Sequence, residues 1–164
     1  MSGNSRNYDK FISDLFELIE FKQIISYGCG IGILECILAR YDKSVICIDS
    51  DDVNFMYVHK LLKPPKNLDF QVIDFLKVDP ESTDLAICTE VATYYEDDTI
   101  LPFLEKLCSS CKHLYFSASP TRSAAFGEVN FKEPLEWQEI IEGFGMSLTA
   151  KMGFPNASGM LFSL

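Results

Sequence analysis

Apolar residues follow two rhythms along this chain. Short stretches rich in apolar residues at 24–27, 44–48 (SVICI), 68–73, 84–88 (DLAIC) and 113–117 predict five strands, and the unbroken run at 44–48 marks a strand covered on both faces, as in a parallel sheet. Between them the period lengthens to that of a helix. Phe11, Ile12, Leu15, Phe16 and Ile19 share one face of a predicted helix over 8–20, and Ile33, Leu34, Ile37 and Leu38 begin another that runs to about Tyr41. A third helix over 51–62 opens on acidic residues, closes on Lys60 and Lys63 and is stopped by Pro64 and Pro65. Helices over 100–108 and 134–143 follow, with a loop at about 118–133 between the fifth strand and the last helix. Two further strands, 146–152 and 160–164, are joined through Gly153-Phe154-Pro155-Asn156, a hairpin that adds an antiparallel strand to the sheet. Alternating strands and helices predict a three-layer α/β fold built on a doubly wound sheet, with residues 1–164 as a single domain.

Composition narrows the function. At 48% apolar and 23% charged residues the chain has an ordinary globular balance, with no apolar run long enough to span a bilayer. The polar start MSGNSRNYDK lacks the core of a signal peptide, so the expected location is cytoplasmic, as a cytosolic protein or the intracellular product of a virus or mobile element. A net charge of −10, with only 14 basic residues and no cluster denser than Lys60, Lys63 and Lys66, disfavours nucleic acid as substrate. A small molecule, a glycan precursor or a protein partner fits better. Of the six cysteines, Cys108 and Cys111 form one C-x-x-C, but no second pair or His pair completes a zinc site. Reduced structural thiols and no metal are expected. His59 and His113 have no partner at a recognisable spacing.

The stretch around which the chain is organised is 23–40, QIISYGCGIGILECILAR. Its strand meets Gly28, Gly30 and Gly32 before the helix begins. A glycine-rich strand-to-helix turn brings backbone N–H groups and a positive helix end to a ligand. The dinucleotide fingerprint G-x-G-x-x-G would need glycine at Ile33; here the third glycine comes one residue early. G-C-G-I-G resembles the first motif of class I S-adenosylmethionine (SAM)-dependent methyltransferases, and the strand–helix order is similar to that family's over essentially the whole chain. The resemblance implies a seven-stranded sheet of order 3-2-1-4-5-7-6 with a C-terminal antiparallel hairpin, and SAM as cofactor.

Asp49 ends the second strand, seventeen positions after Gly32, where a carboxylate reaches a ribose diol; the competing reading is a helix-capping Asp. Asp74-Phe75 ends the third strand, where a carboxylate can accept the adenine amino proton beneath an apolar cover, though Asp is also common there for local reasons. By resemblance, Tyr27, Gly28, Cys29, Gly30 and Gly32 hold the donor, Asp49 binds both ribose hydroxyls, Ser50 lies near the adenine, and Asp74, Phe75 and Thr89 complete the site. The run CTEVATYYEDD is similar to the "E-V-L-E-H" stretch of small-molecule methyltransferases, with Tyr94 and Tyr95 where an acid and a His are common. Glu90 is the candidate base, and Tyr94 and Tyr95 are positioning residues; Glu90 as a ligand of the donor's amino group and the tyrosines as packing are the alternatives. FGEVNFKEPLEWQEIIEGFG resembles a segment that would bring Asn130 and Trp137 to the acceptor, against a core reading for Trp137. Ser117, Ser119, Arg122 and Glu128 lie in or beside that loop.

Two departures matter. The chain lacks the Asn/Asp-Pro-Pro-aromatic sequence of many amino-group methyltransferases acting on bases or glutamine, and it has Ser26 where the family usually carries an acid that helps hold the donor's methionine end. The expected function is methyl transfer to a small-molecule or sugar-like acceptor. The alternative is an inert SAM-binding fold serving as a regulatory or structural subunit; a nicotinamide enzyme is disfavoured by the glycine spacing. With no large cap or insertion to wall the acceptor site, a homo-oligomer or a partner protein is expected to complete it.

Overall fold

A computed structural model describes residues 5–57, 60, 63–118, 129–154 and 157–164. Its elements, in order, are α1 (Ser5–Leu18), β1 (Gln23–Tyr27), α2 (Ile33–Ala39), β2 (Ser44–Asp49), α3 (Asp52–Tyr57), β3 (Leu68–Val72), β4 (Thr83–Thr89), α4 (Asp97–Ser110), β5 (Cys111–Ser117), α5 (Pro134–Gly143), β6 (Ser147–Phe154) and β7 (Ala157–Ser163). The strands form one sheet in the order β3-β2-β1-β4-β5-β7-β6. Neighbours among β1 to β5 run parallel, and β7 lies antiparallel to both β5 and β6. The expected fold class and strand order are what the structure has.

Strand alternation explains the three layers. Successive residues of β1 point to opposite faces, so Ile24 joins Phe11, Ile12 and Leu15 of α1 and Leu34 and Leu38 of α2 on one side. Ile25 and Tyr27 join Phe103, Leu104 and Leu107 of α4 and Trp137 and Ile141 of α5 on the other. Both faces are dry, which is why the central strands read as unbroken apolar runs.

Local signals place most element ends. Glu133 and Glu136 form a capping box around Pro134, so α5 begins where its sequence says it should. The predicted helix at 100–108 begins earlier, at Asp97, and runs to Ser110: Asp97 and Asp98 occupy the first turn, suiting the helix dipole, and Pro102 is accommodated inside. The third helix is described only over Asp52–Tyr57; residues 58, 59, 61 and 62, including His59, and the turn residues 155 and 156 lie outside the described residues. So do Ser119, Arg122 and Glu128. The cysteines are free, and burial pushes the Cys108 and Cys111 thiols up to about 12, as expected of structural thiols. Among the described residues no group of His, Cys, Asp or Glu is arranged to hold a metal ion, and no helix is long and apolar enough to cross a membrane.

One polar clasp squares the strand starts. Asp84 accepts from the backbone N–H groups of Lys22 and Gln23 at 2.9 and 3.1 Å and from Lys112 Nζ at 2.7 Å, fastening the beginnings of β4, β1 and β5 to one carboxylate. These bonds, that from Lys112 foremost, hold its carboxyl far below the usual carboxylate range. A depressed folded-state value stabilises the fold above the unfolded value and is lost as pH falls. Asp84→Ala is expected to cost about 2 kcal/mol at neutral pH, or roughly 6 °C in melting temperature. Thermal melts should show the gap from the wild type closing below about pH 4.

Candidate methyl-donor site

The strand order places β1 between β2 and β4, so the chain leaves the sheet centre in opposite directions. A crevice opens at this switch point, outside the carboxyl ends of the strands. The loop after β1 forms one wall. Gly28, Gly30 and Gly32 all have left-handed φ, at 69°, 56° and 65°, and Gly32 starts α2. A side chain at Gly28 would put its Cβ 2.3 Å from Val91 Cγ2, so bare backbone there lets the loops after β1 and β4 close on each other. Beside Gly30 there is open space.

Asp49 fixes this wall. Its Oδ2 accepts from Gly30 N at 2.8 Å and its Oδ1 from Asp51 N at 2.9 Å, while Ile48 O accepts from Gly28 N at 2.7 Å. Each carboxylate oxygen keeps a second acceptor site for a ligand. Asp49 therefore serves the loop and remains able to serve a diol.

The opposite wall follows β4. Glu90 is left-handed, at φ 60°, a costly conformation for a residue with a side chain. Three bonds hold it there: Glu90 N donates to Ser117 O at 2.8 Å, Thr93 Oγ1 donates to Glu90 O at 3.0 Å, and Ser117 Oγ donates to Glu90 Oε1 at 2.9 Å. Strain that is so thoroughly enforced is characteristic of functional sites. Between the walls lies a cavity of about 610 Å³, lined by Gly28, Gly30, Asp49, Ser50, Asp51, Asn54, Phe75, Thr89, Glu90, Val91, Tyr94 and Tyr95. Asp49, Asp51 and Glu90 line it and, among the described residues, no lysine or arginine does, so this lining suits a cation and opposes a pyrophosphate.

Residues 25–112 match the family described as methyltransferase domain. The chain belongs to the class I SAM-dependent methyltransferases. No curated protein matches it by sequence. In fold it is similar to the methyltransferase domain of bacterial CtHen1-CN (16% identity, TM-score 0.77, covering 99% of this chain and 100% of that one). It is similar also to the N-methyltransferase NodS of Bradyrhizobium japonicum WM9, solved with S-adenosyl-L-homocysteine (17%, 0.76, 96% and 85%). A third structure of the same fold is magnesium protoporphyrin IX methyltransferase from Synechocystis PCC 6803, solved with bound SAH (16%, 0.73, 96% and 80%).

Several residues named from the methyltransferase motifs meet at the cavity: Gly28, Gly30, Asp49, Ser50, Phe75, Thr89, Glu90, Tyr94 and Tyr95. Others are placed elsewhere. The Tyr27 ring is 1% exposed and packs edge-on against Phe75 and Phe103, so its side chain supports the site from the core. Cys29 packs into the core cluster of α1 and α2 beneath the loop. Asp74 caps the 3₁₀ turn Phe75–Lys77, accepting from Leu76 N at 3.2 Å and pairing with Lys77 at 2.9 Å. Of the two readings of Trp137 the structure has the core one: it is fully buried against Phe116, with Lys132 over its ring. Asn130, also buried, donates to Tyr95 O and Asp97 Oδ1 and so braces the tyrosine wall from behind. Sequence reasoning missed Asp51 and Asn54 at the cavity; their only signal was nearness to Asp49. It also missed the hold of Ser117 on Glu90.

The glycine wall yields a graded expectation. Gly30→Ala should cost about 1 kcal/mol from backbone strain alone. Gly28→Ala adds the collision with Val91 and should cost on the order of 3 kcal/mol. Denaturant titration of the two variants measures the order; equal costs would contradict the packing described.

Proposed function

We propose that the chain is a cytoplasmic SAM-dependent methyltransferase, folded over 1–164 as one domain and acting on a small-molecule or sugar-like acceptor. The carrying observation is the acidic cavity at the switch point between β1 and β4, with Asp49, Asp51 and Glu90 on its walls and no basic residue among the described ones. Its size is that of a small-ligand site. SAM presents a sulfonium and an ammonium, which the acidic lining favours, and its ribose can take the unused acceptor sites of Asp49. The glycine loop, Ser50, Phe75 and Thr89 are the further donor contacts. SAM supplies an electrophilic methyl group for in-line displacement.

The chain supplies position and a proton acceptor. Methyl transfer between well-placed partners needs little more than alignment, plus a base where the nucleophile carries a proton. Glu90 is that base, its carboxylate oriented by Ser117 Oγ. Tyr95 is a wall: burial, then the charges of Asp74 and Asp49, push its phenol up, so it stays neutral. Tyr94 is 45% exposed at the rim, which leaves an outer surface for the acceptor or for a second chain completing the site. A non-catalytic donor-binding subunit is the second reading, favoured by that open rim.

Calorimetry with SAM, S-adenosylhomocysteine and NAD separates these readings from a nicotinamide enzyme. Binding of the first two and not the third is expected, and Asp49→Ala should weaken SAM at least tenfold without unfolding the chain. A folded protein that ignores millimolar SAM would sink the proposal.

Glu90→Gln should leave SAM affinity within about threefold while lowering turnover on an acceptor by about 10² or more, as loss of a general base does. A screen of hydroxyl and amine acceptors, read as S-adenosylhomocysteine release, supplies the assay. Unchanged turnover in Glu90→Gln would remove Glu90 as base.

A further inference from the structure

Beneath the glycine loop lies an acid that the proposed reaction does not use. Glu35, in the first turn of α2, is 3% exposed. Its Oε1 accepts from Ser26 Oγ at 2.6 Å, and Ser26 is itself 1% exposed, on β1. The bond spans nine residues and joins the strand entering the glycine loop to the helix leaving it. We infer that Glu35 is a positioning residue for the methyl donor: with Ser26 it clasps the base of the glycine loop and fixes the wall on which the donor lies. This inference rests on the donor-site reading above.

Three observations support it. A loop of left-handed glycines has little intrinsic preference for one shape, so its shape must be imposed from outside. Asp49 does so at the middle, through Gly30 N, and the Ser26–Glu35 bond does so at the two ends. Second, Glu35 has no ion pair among the described residues, so charge pairing does not explain its burial. An apolar residue would occupy the site at less cost in solvation. Third, the groups around it are Tyr8 of α1, Cys29 of the loop, Cys36 of α2, and Cys47 and Asp49 of β2. None is basic. Burial foremost, and Asp49 as well, push its carboxyl up, while the Ser26 hydroxyl and its own backbone hold it down. Burial disfavours its charged form, and with a hydroxyl as its bonded partner Glu35 is a clasp rather than a counterion.

The test uses the whole chain and SAM as probe. Glu35→Gln retains a carbonyl for Ser26 Oγ and should keep SAM affinity within about threefold of wild type. Glu35→Ala should weaken it about tenfold or more. Reversing the pair, with Ser26→Asp and Glu35→Ser together, restores a hydroxyl–carboxyl bond at the same place and should recover most of the loss. Hydrogen exchange without ligand reports the same clasp. The Gly28 amide, bonded to Ile48 O, should exchange about tenfold faster in Glu35→Ala and not in Glu35→Gln, while the amides of β5 keep wild-type rates. Wild-type SAM affinity in a folded Glu35→Ala, or equal losses in Glu35→Ala and Glu35→Gln, would overturn the inference. If Glu35→Ala does not fold, Ser26→Ala replaces it with the same expectations. Failure of the wild type to bind SAM counts against the donor-site reading, and the exchange rates then decide the clasp alone.

Discussion

Strand β1 must stop within a single residue, and the ligand end of the molecule depends on how it does so. Tyr27 is still in the sheet, paired with Ile48 and Cys88, and Gly28 has already turned left-handed. From there to Gly32 the glycines offer no side chain to hold the loop in place. Every restraint therefore comes from neighbours. Ile48 O takes the Gly28 N–H, Asp49 takes that of Gly30, Val91 fills the space over Gly28, and Glu35 grips Ser26 from below. The parallel pairing of β1 with β2 brings the first two of these within reach, so the sheet order is a precondition of the site rather than a background to it.

The facing wall is built on the opposite principle. Glu90 is a poor residue for a left-handed turn, and three hydrogen bonds to Thr93 and Ser117 keep it there. One wall is shaped by residues that accept any conformation, the other by a residue forced into a costly one. The charges are sorted along the strands as well. At the carboxyl ends, Asp49, Asp51 and Glu90 surround the cavity. At the other end, Lys22, Lys43 and Lys112 line a second cavity with Asp84 and Glu20. Among the described residues no lysine or arginine lines the cavity at the carboxyl ends, where it would oppose a cationic ligand.

What could be read from the sequence was whatever has a short-range signature. Apolar runs marked the strands, unbroken at 44–48 where β2 lies inside the sheet, and the glycine spacing and Asp49 marked the first wall because residue type and position coincide there. Contacts made across the fold left no such trace. Asp84 looked like the first residue of a strand, and nothing local tells that it holds three strand starts together. Asp74 shows the limit in another way: an Asp after a strand suits an adenine amino group and a 3₁₀ cap equally, and its carboxylate is engaged by Leu76 N and Lys77. Trp137 read as core or as site border, and only the packing of Phe116 against it decides for core.

Glu35 and Asp49 show how one loop uses two carboxyl groups in different ways. Asp49 is half-buried at the edge of the cavity, where water or a ligand can share its oxygens. Glu35 is sealed between β1, β2, α1 and α2, where ionisation would place an unpaired charge in a dry core. Had the acid stood on the strand at Ser26 and stayed ionised, it would have added to the negative charge already carried by Asp49, Asp51 and Glu90. Moving it to the helix and pairing it with a hydroxyl keeps the loop tied without that charge. The structure thus divides the work: the carboxyl at the cavity is the accessible one, and the carboxyl that ties the loop is buried and bonded to a hydroxyl.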